Sequence, residues 1–459
     1  LSLHDALPIS SRIWYRTKRF LERHGRLVTA SVALVALILI GLITSIALYL
    51  QAEKARAETQ AVTAFLTNNL LGAVYPREAN GQEVTVQYIL QSASTRLDSD
   101  FTGSPLVEAS IRMAVGMTYQ KMSQYSAAES HLKRAAEIRV RYLGRDDPAT
   151  LDSLYELGRV HFALGRCAEA ERLMVEVLGA RRRVLGLEHV DTLRSLSSLG
   201  SLYIAEARFE EGLALSRETY QTACRVLGED HEVTLAIALS LAVGLITKAD
   251  IQNAETIASQ AYQHSRRVLG EEHATTMGLM NSYVWLHDMG GRHQAGVELG
   301  EKALEIARRV YGPEHSTTTA AMSHLGSIYR SLNRYEEAGP LLIESAERVG
   351  RLYAEEHPAT IFYKLRLAVL YLNLGEYEKC DPLFIRLMEL SHRVHGPHHP
   401  QTGYIAYFLR VRAEQLEAFA QEQQSAGNHE TAQSALAKAR EMREVRRRGL
   451  NRPEAVEHS

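Results

Sequence analysis

Seven times along this chain a short phrase returns at an interval of 42 residues. It reads LGRDDPAT at Leu143 to Thr150, then LGLEHVDT, LGEDHEVT, LGEEHATT, YGPEHSTT, YAEEHPAT and HGPHHPQT. Thr150, Thr192, Thr234, Thr276, Thr318, Thr360 and Thr402 form one column. Arg141, Arg183, Arg225, Arg267, Arg309, Arg351 and Arg393 form a second. His189, His231, His273, His315, His357 and His399 form a third, with Asp147 in its first place. A period of this length means stacked supersecondary units, because one such unit cannot bury its own apolar face.

Each unit reads as two helices. In the unit from Leu143 the first runs from about Pro148 to Leu164, with Leu151, Leu154, Leu157, Val160 and Leu164 at helical spacing. Gly165-Arg166 makes the turn, and the second helix runs from about Ala168 to Val184, with Ala170, Leu173, Val177 and Leu178 inward. Small residues fill two further columns. Gly116, Gly158, Gly200, Ala242, Gly326 and Ala368 make one; Ala128, Ala170, Gly212, Ala254, Gly296, Ala338 and Cys380 make the other. They let helix axes approach closely.

The polar columns have structural readings. Asp147, or the equivalent His, caps the first helix, with Pro148, Pro358 and Pro400 in the first turn. The Thr three positions on is expected to bond back toward the cap. Arg sits in the last turn of the second helix, where a cation suits the dipole. The acid five residues later (Asp146, Glu188, Asp230, Glu272, Glu314, Glu356) is its expected salt-bridge partner. Successive His residues lie one unit apart, roughly 10 Å, too far to share a metal ion. The three cysteines, Cys167, Cys224 and Cys380, have no metal-ligand spacing and read as small buried residues.

Before the repeats, Leu27 to Leu50 is 24 residues without a charge. A helix of that length rises about 36 Å, enough to cross a bilayer. Arg12, Arg16, Lys18, Arg19, Arg23 and Arg26 precede it against Glu22 alone. That bias puts the N-terminal side in the cytoplasm and the repeats outside an inner or plasma membrane. The expected organisation is 1–9, a sequencing-adaptor artefact (LSLHDALPI); 10–26, a basic juxtamembrane segment; 27–50, the transmembrane helix; 51–100, a helical stalk and N-terminal cap; 101–436, the repeats; and 437–459, a capping helix and tail. The expected fold class is all-α, one transmembrane helix followed by an α-solenoid of helical hairpins.

The small-residue columns, Tyr119, Tyr203, Tyr329 and Tyr371, and the phrases ALGRCAEAE and LNRYEEA resemble tetratricopeptide repeats. The 42-residue unit and the LGxEHPxT phrase resemble the kinesin-light-chain subtype. The resemblance covers about Phe101 to His429, and the last unit departs from it, its turn phrase Gly427 to Ala432 falling about ten residues late. The span, the alanine-rich stretch and GQEVTVQYIL at Gly81 to Leu90 resemble the C-terminal half of bacterial transmembrane serine/threonine kinases. That resemblance implies a kinase domain upstream; none of its motifs lies in this chain.

The resemblance implies a protein or peptide ligand on the concave face made by the first helices. It places Arg159, Arg194, Asn281, Trp285, Asp288, His324, Arg330, Phe362, Arg366 and Asn373 there. Trp285 stands out, since its column otherwise holds Arg159, Ser201, Val243, Ser327 and Val369. A net charge of -2 argues against nucleic acid as partner. His and acidic residues follow the repeat period, and no phosphate loop, Ser-His-Asp or zinc signature is present, so neither a cofactor nor catalysis by this chain is expected. The alternative is a stand-alone membrane-anchored adaptor with no kinase upstream. The oligomeric state is left open, a homodimer included.

Overall fold

The computed structural model describes residues 86–99 and 104–450, and isolated helical positions between 37 and 53. The expected membrane span at 27–50 otherwise lies outside the described residues, as do 1–9, 10–26, most of 51–100 and the end of the tail. Among the described residues no helix is long and apolar enough to cross a membrane. The chain divides into two compact units, Leu1–Ile111 and Arg112–Ser459.

Seventeen helices and no strand occur among the described residues. They are α1 (Val86–Ser99), α2 (Pro105–Lys121), α3 (Tyr125–Leu143), α4 (Pro148–Ala163), α5 (Cys167–Val184), α6 (Val190–Ala205), α7 (Phe209–Leu227), α8 (Glu232–Thr247), α9 (Ile251–Val268), α10 (Ala274–Met289), α11 (His293–Val310), α12 (Ser316–Ser331), α13 (Tyr335–Leu352), α14 (Pro358–Asn373), α15 (Tyr377–His395), α16 (Pro400–Ser425) and α17 (His429–Gly449). The even-numbered helices from α4 are the first helices of the units, and the odd-numbered from α5 the second. From α3 onward each packs on its chain neighbours, and consecutive first helices also touch one another. Consecutive second helices, the last pair apart, hold no comparable contact. A stack whose first helices lie closer together curves with those helices inside.

The repeat columns account for the local structure. Asp147 Oδ1 accepts from the Ala149 amide at 2.9 Å, which satisfies one of the orphan donors of α4. In the later units the His Nδ1 takes that role, as His357 does for Ala359 at 3.1 Å. The corner between first and second helix uses a left-handed residue at Ser123, Gly165, Ala207, Ala249, Gly291, Asn333 and Gly375, again 42 apart. Close approach explains the small columns. A Cβ on Gly212 would lie 2.8 Å from the Gly200 carbonyl oxygen, backbone that cannot yield. One on Gly116 would meet Leu132 Cγ at 2.7 Å.

Two polar columns pair differently from expectation. The column threonines do not bond back to the cap through their hydroxyls. Thr318, Thr360 and Thr402 donate to the Gly312, Ala354 and Gly396 carbonyls at 2.7, 2.9 and 2.9 Å. The hydroxyl is buried beneath the loop, whose carbonyl lacks a helical partner. The arginines do not pair with the acid five residues on. Arg183 meets Asp146 at 3.0 Å, Arg225 meets Glu188 at 2.8 Å, Arg267 meets Asp230 at 2.6 Å and Arg309 meets Glu272 at 2.9 Å. Arg351–Glu314 and Arg393–Glu356 continue the series. From Arg183 onward each column arginine therefore reaches the loop of the preceding unit, 37 residues earlier. Stacking lays that loop beside the second helix. A matching ladder of Arg166–Glu129, Arg208–Glu171, Lys248–Glu210 and Arg292–Glu255 runs along the opposite corners.

The array ends in longer helices, α16 with 26 residues and α17 with 21. α17 begins at His429 and runs through the boundary drawn at 436. Asp381, fully buried on α15, pairs with Arg412 and Lys438, each at 2.9 Å. Two cations on α16 and α17 thereby compensate one desolvated carboxylate, and removing either would leave it costly.

Candidate functional site

The inner face carries one dense cluster, built from residues one helical turn apart on each helix and one repeat apart between helices. On α10, Trp285 and Asp288 point the same way; on α14, Phe362 and Arg366 do. Trp285 stacks on His324 of α12 with ring centroids 5.5 Å apart, and meets the edge of Phe362 at 5.5 Å. The Arg366 guanidinium lies over the Phe362 ring at 4.4 Å and near the Trp285 ring at 5.6 Å. Its Nη1 donates to Ser323 Oγ at 3.2 Å and to His324 Nδ1 at 3.1 Å. Tyr404 of α16, half exposed, borders the same charges.

Charge at the cluster is unbalanced. Burial pulls the Arg366 guanidinium down to about 10, while Asp288 works in the other direction. His324 falls well below the ordinary imidazole value, first because it is buried and then because Arg366 stands beside it. A neutral His324 can therefore accept from Arg366. Arg330 is half-buried, and its Nε is sequestered with no hydrogen-bond partner. Asp288 is already engaged, accepting from Ser331 Oγ at 2.9 Å and pairing with His293 at 3.4 Å. Neither Arg330 nor Arg366 has a carboxylate partner among the described residues. Two cations among aromatic walls can hold an anionic group and stack an apolar one.

The structure thus brings together Trp285, Asp288, His324, Arg330, Phe362 and Arg366. Arg159 and Arg194 lie apart, on α4 and α6. They are matched by their own helices, Arg159 with Glu156 at 3.0 Å and Arg194 with Asp191 at 3.6 Å. Asn281 is 6% exposed and its Oδ1 has no partner. Asn373 is exposed at the last residue of α14 and makes none of the cluster's contacts. Tyr404 and Ser323 belong to the cluster and were not among the expected residues. Tyr404 follows Phe362 by one 42-residue period, so its column carried the signal. A separate open cleft of about 710 Å³ lies among α11, α12 and α13, where Glu301, Glu305 and Glu337 face Arg308 and Arg309. Among the described residues no group of three His, Cys, Asp or Glu is placed to hold a metal ion.

Comparison with known proteins agrees with this architecture. One tetratricopeptide-repeat model matches residues 107–183, 157–211, 286–347 and 317–379. A second matches 192–232 and 364–401, and the two together span just over half of the chain. No match to a curated protein is found. Among solved structures, kinesin-light-chain-type repeats of Podosopora anserina share 24% identity, covering 45% of this chain and 98% of theirs, with a TM-score of 0.36. BtubC from P. vanneervenii shares 18% identity over 51% of this chain and 91% of its own, with a TM-score of 0.37. A Rap protein complexed with competence and sporulation factor shares 12% identity over 74% of this chain and 99% of its own, with a TM-score of 0.46. The repeated hairpins, their 42-residue columns and the matching repeat models place this chain in the tetratricopeptide-repeat family.

Proposed function

We propose that the array captures an extended acidic segment of a partner protein on the face lined by α10, α12, α14 and α16. The observation that carries this reading is the pair Arg330 and Arg366, without carboxylate partners, beside the Trp285 and Phe362 rings. A carboxylate of the segment pairs with the two guanidiniums, and a neighbouring apolar side chain lies on the rings. Buried aromatics and arginine are the residues on which binding energy concentrates. The test is a displayed peptide library panned on the full chain and on Arg330→Ala/Arg366→Ala. Peptides enriched in Asp and Glu on the wild type, and lost from the double variant, are expected. Enrichment without acidic bias, or equal capture by the variant, would defeat the reading.

The module is further proposed to be anchored through residues 27–50 with its repeats outside the membrane. The uncharged run and the basic cluster before it support this, as do the exposed apolar side chains of Leu37, Ile38, Leu39, Leu42 and Ile46. Protease added to intact spheroplasts should digest the repeats, and protection would reverse the orientation. The likeness of the region before the repeats to transmembrane kinases supports a kinase domain encoded before Arg12. Reading the gene upstream decides it: an unrelated domain there leaves the stand-alone adaptor.

A further inference from the structure

Loops far apart in the chain meet within the unit Arg112–Ser459. The Nε2 of His315, which caps α12, lies 2.7 Å from the Lys121 carbonyl oxygen at the end of α2. The Nε2 of His357, which caps α14, lies 2.7 Å from the Ala163 carbonyl oxygen at the end of α4. Both pairs are 194 residues apart, between four and five periods of 42. Ser123 Oγ bonds Ser316 Oγ at 3.0 Å, and the Tyr125 and Tyr353 rings stack at 6.0 Å. The His399 ring, at the cap of α16, lies 6.0 Å from Phe209 of α7. A seam thus joins three successive corners of one turn of the array to three successive loops of the next.

Helix ends explain why the seam closes. A helix leaves its last carbonyls without partners inside it. At the two corners the amides take up the carbonyls of Thr118, Tyr119 and Gln120, and of Val160, His161 and Phe162. Those of Lys121 and Ala163 are left to a donor from another turn. The Nδ1 of His315 and of His357 accepts the amide two residues on, each at 3.1 Å. An accepting Nδ1 carries no proton, so the neutral ring has its hydrogen on Nε2 and donates it to that carbonyl. Ser123 is 3% exposed at the seam, whereas its counterparts Ala249, Gly291 and Asn333, away from it, are exposed.

The curve that brings the turns together also narrows the inner face. Trp285 of α10 reaches past α12 to Phe362 and Arg366 of α14. The Tyr404 hydroxyl of α16, raised first by burial, also senses Arg330 of α12, Asp288 of α10 and Arg366 of α14. Four first helices therefore face one space. With axes about 10 Å apart, a ring of five helices is about 17 Å across between axes. Helices about 10–12 Å thick leave roughly 5–7 Å of that open. This is the room one strand takes in a sheet, and a folded domain does not fit.

Resting on the acidic-segment reading above, we infer that the closed seam turns the inner face into a passage that the segment enters end first. The element recognised is then a free chain terminus of the partner, not an internal loop or a folded surface. α12, α14 and α16 rest on the corners one turn earlier, so the cluster is approached along the axis of the array. A segment continuous with folded structure on both sides reaches it only if the seam parts.

The test locks the seam in the full chain. Ser123→Cys and Ser316→Cys place two thiols where the hydroxyls stand 3.0 Å apart, with Cys167→Ser and Cys224→Ser removing the half-buried native thiols. Oxidation should join the pair while circular dichroism stays that of the reduced chain. Failure to join, by oxidation or by a short bis-maleimide, would show that the corners stand apart and overturns the proposal. Three probes are then titrated: a linear peptide rich in Asp and Glu with one Leu, the same peptide fused at one end to a small folded domain, and the same peptide between two such domains. The locked chain should bind the first two as the reduced chain does, and the third about tenfold more weakly or not at all. Arg330→Ala/Arg366→Ala should lose the first two. Ser123→Asp with Ser316→Asp sets like charges in place of the hydrogen bond, parts the seam and should regain the third. Equal affinity of the locked chain for all three, or no recovery of the third in the Asp pair, overturns end-first entry and leaves the acidic-segment reading standing. A linear peptide that does not bind even the reduced chain defeats that reading, and end-first entry with it.

Discussion

At the scale of single residues, Trp285 and Leu325 test the proposed recognition against packing. Leu325 is 2% exposed in the central core, in a column with Leu157, Leu199 and Leu241. Leu325→Ala should cost about 2–5 kcal/mol. Trp285 is only half-buried and rests on His324, Phe362 and Arg366. Its truncation should cost roughly 1 kcal/mol of stability from lost ring contacts. Capture of an acidic peptide should weaken by about 2 kcal/mol or more. Denaturation curves and peptide titrations on both variants check this; equal destabilisation would make Trp285 a packing residue. Arg366→Ala should also move His324. Burial is the larger cause of its low pKa, and the Arg366 charge the second. Removing that charge raises the imidazole pKa part of the way toward the ordinary value, which a proton-resonance titration would show.

At the scale of elements, the corner residue decides how well each hairpin closes. Ala207 and Ala249 hold φ of 62° and 63°, a left-handed backbone that costs an L-residue roughly 1–2 kcal/mol. Glycine adopts it freely but gives up about 0.5–1 kcal/mol of unfolded-state freedom. Ala207→Gly and Ala249→Gly should therefore each stabilise by about 0.5 kcal/mol, read as a higher denaturation midpoint. Gly165→Ala should go the other way, since it adds a strained backbone and a methyl against the His357 ring. A lower midpoint for Ala207→Gly would mean that the corner backbone is not under this strain.

At the scale of the whole molecule, two salt-bridge ladders run along the array, yet they are not what holds it. The rungs of the arginine-column ladder are exposed, and such pairs contribute about 0–1 kcal/mol each and less in salt. Arg225→Ala should accordingly shift stability by less than about 1 kcal/mol. A larger loss, persisting at high salt, would show that the ladder bears on the stacking itself. Cohesion comes instead from apolar faces shared between units. These form clusters that cross unit boundaries, such as Leu235, Met277, Met322 and Leu370 in one core. The 37-residue offset of the rungs still matters, because it sets which loop stands beside which helix.

The 42-residue period was enough to determine the helices, their corners and their caps, because these depend on residues within one hairpin. Asp147 and its histidine successors cap as their position in the phrase dictates. Partners across units depended on geometry that a single unit does not contain. Which acid Arg225 meets is a matter of how far one hairpin is displaced when stacked on the next. The cluster of Trp285, His324 and Arg366 combines that displacement with the turn of each first helix. The seam between His357 and Ala163 depends on a small rotation per unit, summed until the chain meets itself. A rotation accumulated over several interfaces is written in no single repeat, and only the folded stack decides it.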